Sequence, residues 1–205
     1  MRIIKIDRRR VSKKALAEAA AVLRAGGVIV MPTETAYGLA ADPAVRAAVA
    51  SVFRIKGRPG GKPLPLIAAS AADVRERFVL AGPARKLATA HWPGPLTLVL
   101  PYKRGGRLPA SPGPTAAVRV PASVWARALA KAAGGLITST SANVSGEATL
   151  YDAAKVVASF RGRRTAPALV LDAGKLPVRR PSTIAALKRG KMVVLRPGAV
   201  KVESR

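Results

Sequence analysis

Within KGRPGGKPLPL, residues 56–66, three cations and three glycines share eleven positions. A guanidinium grips two phosphate oxygens in one plane, whereas an ammonium acts as a mobile point charge. Lys56 and Arg58, two apart, with Lys62 beyond the glycines, suit a triphosphate. The glycines let backbone amides approach the same anion. Pro59 and Pro63 restrict how far such a loop wanders. The plainer reading is a solvated basic turn.

Three further stretches are polar at the end of an apolar run. Residues 138–146, TSTSANVSG, hold six hydroxyl or amide side chains in nine positions. Ser139 and Ser141 can donate to phosphate oxygens, and Asn143 can both donate and accept. An ordinary helix cap would use one such oxygen, not five. In PTETAYG, residues 32–38, Thr33, Thr35 and Tyr37 can hold a small polar substrate with an ammonium group, with Glu34 facing it or a neighbouring loop. Tyr37 reads equally well as a core aromatic whose hydroxyl finds one acceptor. Arg119 stands inside the strand-like VRV, and a buried arginine needs an anion from protein or ligand. Arg196, in VLRPG, ends an apolar run in the same way.

Neither GxGxxG nor GxxxxGK[ST] occurs, so a nucleotide would bind by another device than the dinucleotide or P-loop fingerprint. The chain has no cysteine and a single histidine, His91. That excludes a disulfide scaffold and thiolate metal sites and makes a zinc centre an unfavourable reading. His91 lacks an orienting partner and reads as a surface or cap residue. Trp92 with Pro93-Gly94-Pro95 reads as a core-side turn.

The elements that must position these residues alternate in an α/β rhythm. Ser12 is placed to cap a helix over 15–25, which Gly26-Gly27 stops. VIVM is a short buried strand that Pro32 breaks into a polar loop. Asp42-Pro43 predicts the cap and first turn of a second helix running toward Arg54. Strands are expected at 64–69, 96–100, 116–120, 168–172, 182–187 and 192–196, with LITST a further one. Helices are expected at 83–90, after a Ser123 cap to Ala133, and after Tyr151 to about Phe160. The pattern predicts one domain over 1–205, a mixed α/β sheet with helices against its faces.

Of 205 residues, 49% are apolar but only 4% aromatic, so the core must be built from Ala, Val, Leu and Ile. Thirty-six Lys and Arg against 10 Asp and Glu give a formal charge of +26. That balance attracts polyanions such as RNA or nucleotide triphosphates without choosing between them. No apolar run reaches membrane-spanning length, and the basic start MRIIKIDRRR leads into an Ala-rich segment interrupted by Glu18 and Arg24. A cytoplasmic protein without membrane association is the expectation.

PTETAYGLAAD (32–42), FRIKGRPGGKPLPL (53–66), WPGPLTLVL (92–100), AVRVP (117–121), TSANVSG (140–146), PST (181–183) and VVLRPGAV (193–200) together resemble the YrdC-like family, the L-threonylcarbamoyladenylate synthases. They occur in the family's order across nearly the whole chain. The family's KxR and SxN signatures stand as Lys56-Gly57-Arg58 and Ser141-Ala142-Asn143. After PST the family reads valine-valine-aspartate or close to it, whereas this chain has Ile184-Ala185-Ala186, and Arg180 precedes Pro181.

The resemblance implies a twisted mixed sheet with flanking helices around a large basic cavity, in the family's short form without an additional C-terminal domain. It implies a nucleotidyltransferase that makes threonylcarbamoyl-AMP and pyrophosphate from ATP, L-threonine and bicarbonate. A partner complex then carries the group to tRNA as N6-threonylcarbamoyladenosine, with tRNA itself a further candidate contact. Lys56, Arg58, Ser139, Ser141, Asn143 and Arg196 would handle ATP, with Lys56 and Arg58 offsetting charge in the transition state. Thr33, Thr35, Tyr37, Lys62, Arg119 and Ser182 would line the threonine and carbamate side. Mg2+ would enter on the ATP phosphates, with no metal site of the protein's own.

Two other functions fit parts of the sequence. The charge alone suits a non-catalytic binder of structured RNA, against which stand the strand-end placement of the polar groups and the paucity of aromatics for base stacking. A carbamoyl-transfer enzyme related to hydrogenase maturation factors would share the module, but the acylphosphatase and zinc-finger segments of those proteins are absent from the sequence.

Overall fold

The computed structural model describes residues 1–58 and 60–202, so Pro59 lies outside the described residues. Eleven strands and six helices follow one another in it. One sheet has five strands in the order β1 (Arg2–Lys5), β9 (Leu169–Asp172), β2 (Ile29–Pro32), β3 (Tyr37–Ala40) and β8 (Thr140–Ser141). The other has six, in the order β11 (Lys191–Arg196), β10 (Thr183–Lys188), β5 (Leu96–Pro101), β6 (Thr115–Arg119), β4 (Leu66–Ala68) and β7 (Leu136–Thr138). The fold is thus mixed α/β as expected, but with two sheets in place of one.

The junction between sheets explains why one apolar stretch reads as a single strand. LITST splits at Ser139: β7 pairs with β4 in one sheet and β8 with β3 in the other. Ser139 donates its backbone N–H to the Pro65 carbonyl, and Ala142 donates to that of Tyr37. The chain therefore stitches both sheets within five residues of the SxN signature.

Strand alternation divides the core in two. Val30 and Val170 face the larger cluster between the sheets, while Ile29, Met31, Leu169 and Leu171 face a smaller one. Burial on both faces is what makes VIVM and ALVL read as unbroken apolar runs. The smaller cluster is closed by α1 (Lys13–Arg24), with Ala15, Ala19 and Leu23 at helical spacing, and by α5 (Val124–Ala132), with Trp125, Ala126, Leu129 and Ala130. Alanine on those faces lets helix backbone approach the sheet closely, which is how a core poor in aromatics reaches close packing.

Several local expectations hold: Ser12 accepts from Ala15 N–H and Ser123 from Ala126 N–H as helix caps. Asp42-Pro43 does not start α2 (Arg46–Lys56), whose N-cap is Val45. Asp42 instead closes a separate turn, its Oδ1 accepting from Ala44 N–H at 2.8 Å, because an Asx turn satisfies the same groups locally. The strand β3 and the terminal strand β1 were not expected; β1 carries two cations in four residues and has three of its residues exposed. The helix α3 (Ala71–Arg77), capped by Ser70, was likewise not expected, whereas α4 (Gly82–His91) and α6 (Ala153–Phe160) match.

Candidate functional site

The three strand-end loops meet at one recess of about 260 Å³. From the turn after β2 come Thr33, Thr35 and Tyr37, and from β6 comes Arg119. The sheet-crossing segment gives Ser139 and Ser141, and the tail gives Ser182 and Arg196. The β9–β10 connection, through Arg179 and Pro181, and the segment around Thr149 and Tyr151 take part of the wall, leaving a modest volume.

The turn after β2 is held by its own hydroxyl. Thr33 Oγ1 donates to the Ala36 carbonyl at 2.6 Å and accepts from Thr35 and Ala36 N–H, leaving Thr35 Oγ1 at 3.0 Å as its neighbour. Tyr37 is buried, its hydroxyl donating to the Gly174 carbonyl at 2.7 Å and accepting from Ala173 N–H at 3.0 Å. Burial pushes its pKa up to about 12; the Ala173 bond opposes this, and Asp172 and Asp152 add to it. The phenol stays neutral and ties the turn to the β9–β10 connection.

Arg119 meets its anion within the chain: Nη1 donates to Glu34 Oε1 at 2.8 Å. Burial pulls its pKa down, and the Glu34 carboxylate pulls it back up. Arg196 donates from Nη2 to the Ser182 carbonyl at 2.7 Å and hydroxyl at 3.0 Å, and Ser182 Oγ lies 2.9 Å from Thr97 Oγ1. Burial lowers the Arg196 pKa and the charge of Arg119 lowers it further. Like charge therefore disfavours the charged form of Arg196 at this recess even though Arg119 is paired with Glu34. Gly198 makes this corner possible, since a Cβ there would stand 2.3 Å from the Pro181 carbonyl oxygen and 2.5 Å from Thr183 N.

The KxR and SxN signatures also meet, but behind the recess wall. Lys56 is 4% exposed, and its Nζ donates to the Ser141 carbonyl at 2.7 Å, the Asn143 carbonyl at 3.0 Å and Asn143 Oδ1 at 3.1 Å. Asn143 Oδ1 also accepts from Ser141 Oγ at 2.6 Å, and its Nδ2 donates to Glu147 O at 2.6 Å. All three protons of the ammonium are committed to shaping the 141–143 turn. Gly57 ends α2 at φ 59°, which turns the chain sharply so that Lys56 points inward while Arg58 leaves. Arg58 lies over the Phe53 ring at 6.0 Å, and Lys62 is exposed. Lys56, Asn143, Arg58 and Lys62 are not among the residues lining the recess.

Burial, with the Arg58 charge second, lowers the Lys56 pKa from 10.5 to about 8. Between those values the folded chain binds fewer protons at this site than the unfolded chain, so stability from Lys56 rises with pH there and is flat below. Urea titrations at about pH 7.5 and about pH 9.5 should show wild type gaining stability on Lys56→Met at the higher pH. An unchanged or reversed difference contradicts the assignment.

Reading the sequence missed Thr97, Thr149, Tyr151 and Arg179 as recess walls. A threonine in the otherwise apolar LTLVL was the one available signal, since a buried hydroxyl needs a partner. The others sit on irregular segments whose path depends on tertiary contacts.

The Sua5/YciO/YrdC family pattern, described as telomere recombination, matches residues 21–198. The chain is 40% identical over 182 residues to the threonylcarbamoyl-AMP synthase of Thiobacillus denitrificans, covering 84% of this chain and 91% of that protein. Its likeness to Pyrococcus abyssi Sua5 complexed with L-threonine has a TM-score of 0.87 at 34% identity, over 97% of this chain and 58% of that one. Escherichia coli YciO gives a TM-score of 0.84 at 25% identity, over 99% and 98% of the two chains. The chain thus spans a little over half the length of the P. abyssi protein and nine-tenths or more of the other two. With matching fold, most of its length matched and Lys56 of one signature bonded to Ser141 and Asn143 of the other, the chain belongs to the Sua5/YciO/YrdC family.

Proposed function

We propose that this chain is a threonylcarbamoyl-AMP synthase, an adenylyl-transferring enzyme that serves N6-threonylcarbamoyladenosine formation in tRNA. The observation that carries the reading is Arg119 and Arg196 facing one hydroxyl-lined recess, in a chain similar to proteins of that name. Threonine's amine nitrogen attacks the carbon of CO2, released from bicarbonate with loss of hydroxide, and gives up a proton to that hydroxide, so that a carbamate and water result. A carbamate oxygen then attacks the α-phosphorus of ATP, the bond to the bridging oxygen breaks, and pyrophosphate leaves with that electron pair.

No protein nucleophile is needed for this. What the reaction requires is a carboxylated amine held in line with a triphosphate and cations where charge grows. Arg119 and Arg196 supply fixed positive charge, while Thr33, Thr35, Ser141 and Ser182 supply orienting hydroxyls for threonine and phosphate. Ser139 adds one more to the ATP side. Lys56 and Asn143 hold the 141–143 turn, and Arg58 and Lys62, on the loop beyond α2, extend the positive field toward an incoming triphosphate. Mg2+ carried on the triphosphate neutralises its oxygens. In this reading such an ion would be held through phosphate oxygens.

Mass spectrometry of the products from ATP, bicarbonate and L-threonine tests the reading, with L-serine as the control amino acid. Threonylcarbamoyl-AMP is expected, suppressed by bicarbonate depletion while ATP binding stays measurable. No adduct, or an adduct formed at full rate without bicarbonate, refutes it.

A further inference from the structure

A second recess of about 290 Å³ adjoins the first and shares Thr33 and Arg179 with it. It lies where β1, β9 and β2, mutually parallel, deliver their carboxyl ends, the edge at which the loops of an α/β sheet open onto ligands. Each of those strands sends one wall. Arg8 and Arg9 follow β1, Thr33 and Glu34 follow β2, and Arg179 follows β9.

Three guanidiniums therefore border a space whose one carboxylate is already used. Glu34 Oε1 accepts from Arg119 at 2.8 Å and Oε2 from Ser123 N–H at 3.4 Å. Among the described residues the ion pairs are Arg2 with Glu18 and Arg119 with Glu34, so Arg8, Arg9 and Arg179 have no carboxylate partner there. The turn that presents the first two is pinned to the core. Arg9 N–H donates to Asp7 Oδ1 at 2.7 Å, and the Asp7 carbonyl accepts from Nε1 of the fully buried Trp125 at 2.6 Å. A mere solubility charge needs no such anchor.

We propose that this second recess binds a phosphate or diphosphate group, gripped by Arg8, Arg9 and Arg179. Guanidinium forks match tetrahedral oxyanions two oxygens at a time, and three of them suit a group with more than one negative charge. The volume exceeds what a lone phosphate fills, which leaves free diphosphate or the phosphate of a nucleotide as sources. Nothing in the proposal requires that threonine or ATP react in the first recess, so it stands or falls apart from that reading.

Isothermal titration calorimetry of the full chain with inorganic diphosphate, inorganic phosphate and AMP tests it, in about 0.15 M salt to screen the general attraction of a +26 chain. Saturable diphosphate binding is expected. Arg8→Ser with Arg9→Ser, and separately Arg179→Ser, should weaken it roughly tenfold, while Lys188→Ser with Lys191→Ser, which removes the same charge outside the recess, should change it less than about twofold. Thermal melts of each variant establish that the fold is kept. Diphosphate binding tighter than AMP assigns the recess to the free anion, and the reverse assigns it to a nucleotide phosphate. Equal weakening by the two double variants overturns the proposal in favour of bulk charge. Loss of binding in Arg196→Ala with none in Arg8→Ser/Arg9→Ser overturns it in favour of the first recess.

Discussion

Replacing Arg119 by methionine is expected to destabilise the fold by about 3–5 kcal/mol, the range for stripping one partner from a buried ion pair. The side chains of Arg119 and Glu34 are 8% and 10% exposed, and their contact is 2.8 Å. Methionine fills the arginine's space but leaves a carboxylate out of water, with the Ser123 N–H at 3.4 Å as its remaining hydrogen bond. The cost therefore lies in the orphaned charge more than in the lost attraction. Glu34→Gln combined with Arg119→Met should recover much of the loss, since no net charge then stays buried. Denaturant titrations of both single variants and the double give the coupling energy directly. A single-variant cost no larger than the ~1 kcal/mol of an exposed pair would show that water reaches Glu34 freely.

That arginine also shows how far a sequence can be read. A guanidinium in the middle of VRV demands an anion, and the demand was visible without coordinates; which anion was not. Glu34 is 85 positions away, and no local rule links them. Tyr37 went the other way: its type suggested a substrate contact or a core aromatic, and its hydroxyl is spent on Ala173 and Gly174. The strands β2, β5 and β9 were legible because burial leaves short apolar runs bounded by turn residues. The two-sheet arrangement was not, since periodicity says which face is buried but not against which neighbour. Ser139 carries that information only through its bond to the Pro65 carbonyl.

Lys56 tests the same distinction between residue type and placement. Its sequence context pointed to phosphate, whereas its ammonium bonds three carbonyl oxygens of the 141–143 turn. Lys56→Met keeps the apolar stem and removes the donor, leaving buried acceptors without partners at about 1–3 kcal/mol each. With Ser141 Oγ still donating to Asn143 Oδ1 at 2.6 Å, the two main-chain carbonyls bear the loss, for a destabilisation of about 2–6 kcal/mol. Turnover is expected to fall about a hundredfold, because a displacement of the Ser141 turn by an ångström misaligns the reacting groups. Asn143→Ala removes an acceptor and the Glu147 anchor without touching the cation, so it should reproduce part of both losses. Denaturant titration and pyrophosphate release read the two effects separately. A Lys56→Met chain as stable as wild type but catalytically dead, beside a silent Asn143→Ala, would move Lys56 from shaping the turn to meeting the phosphate itself.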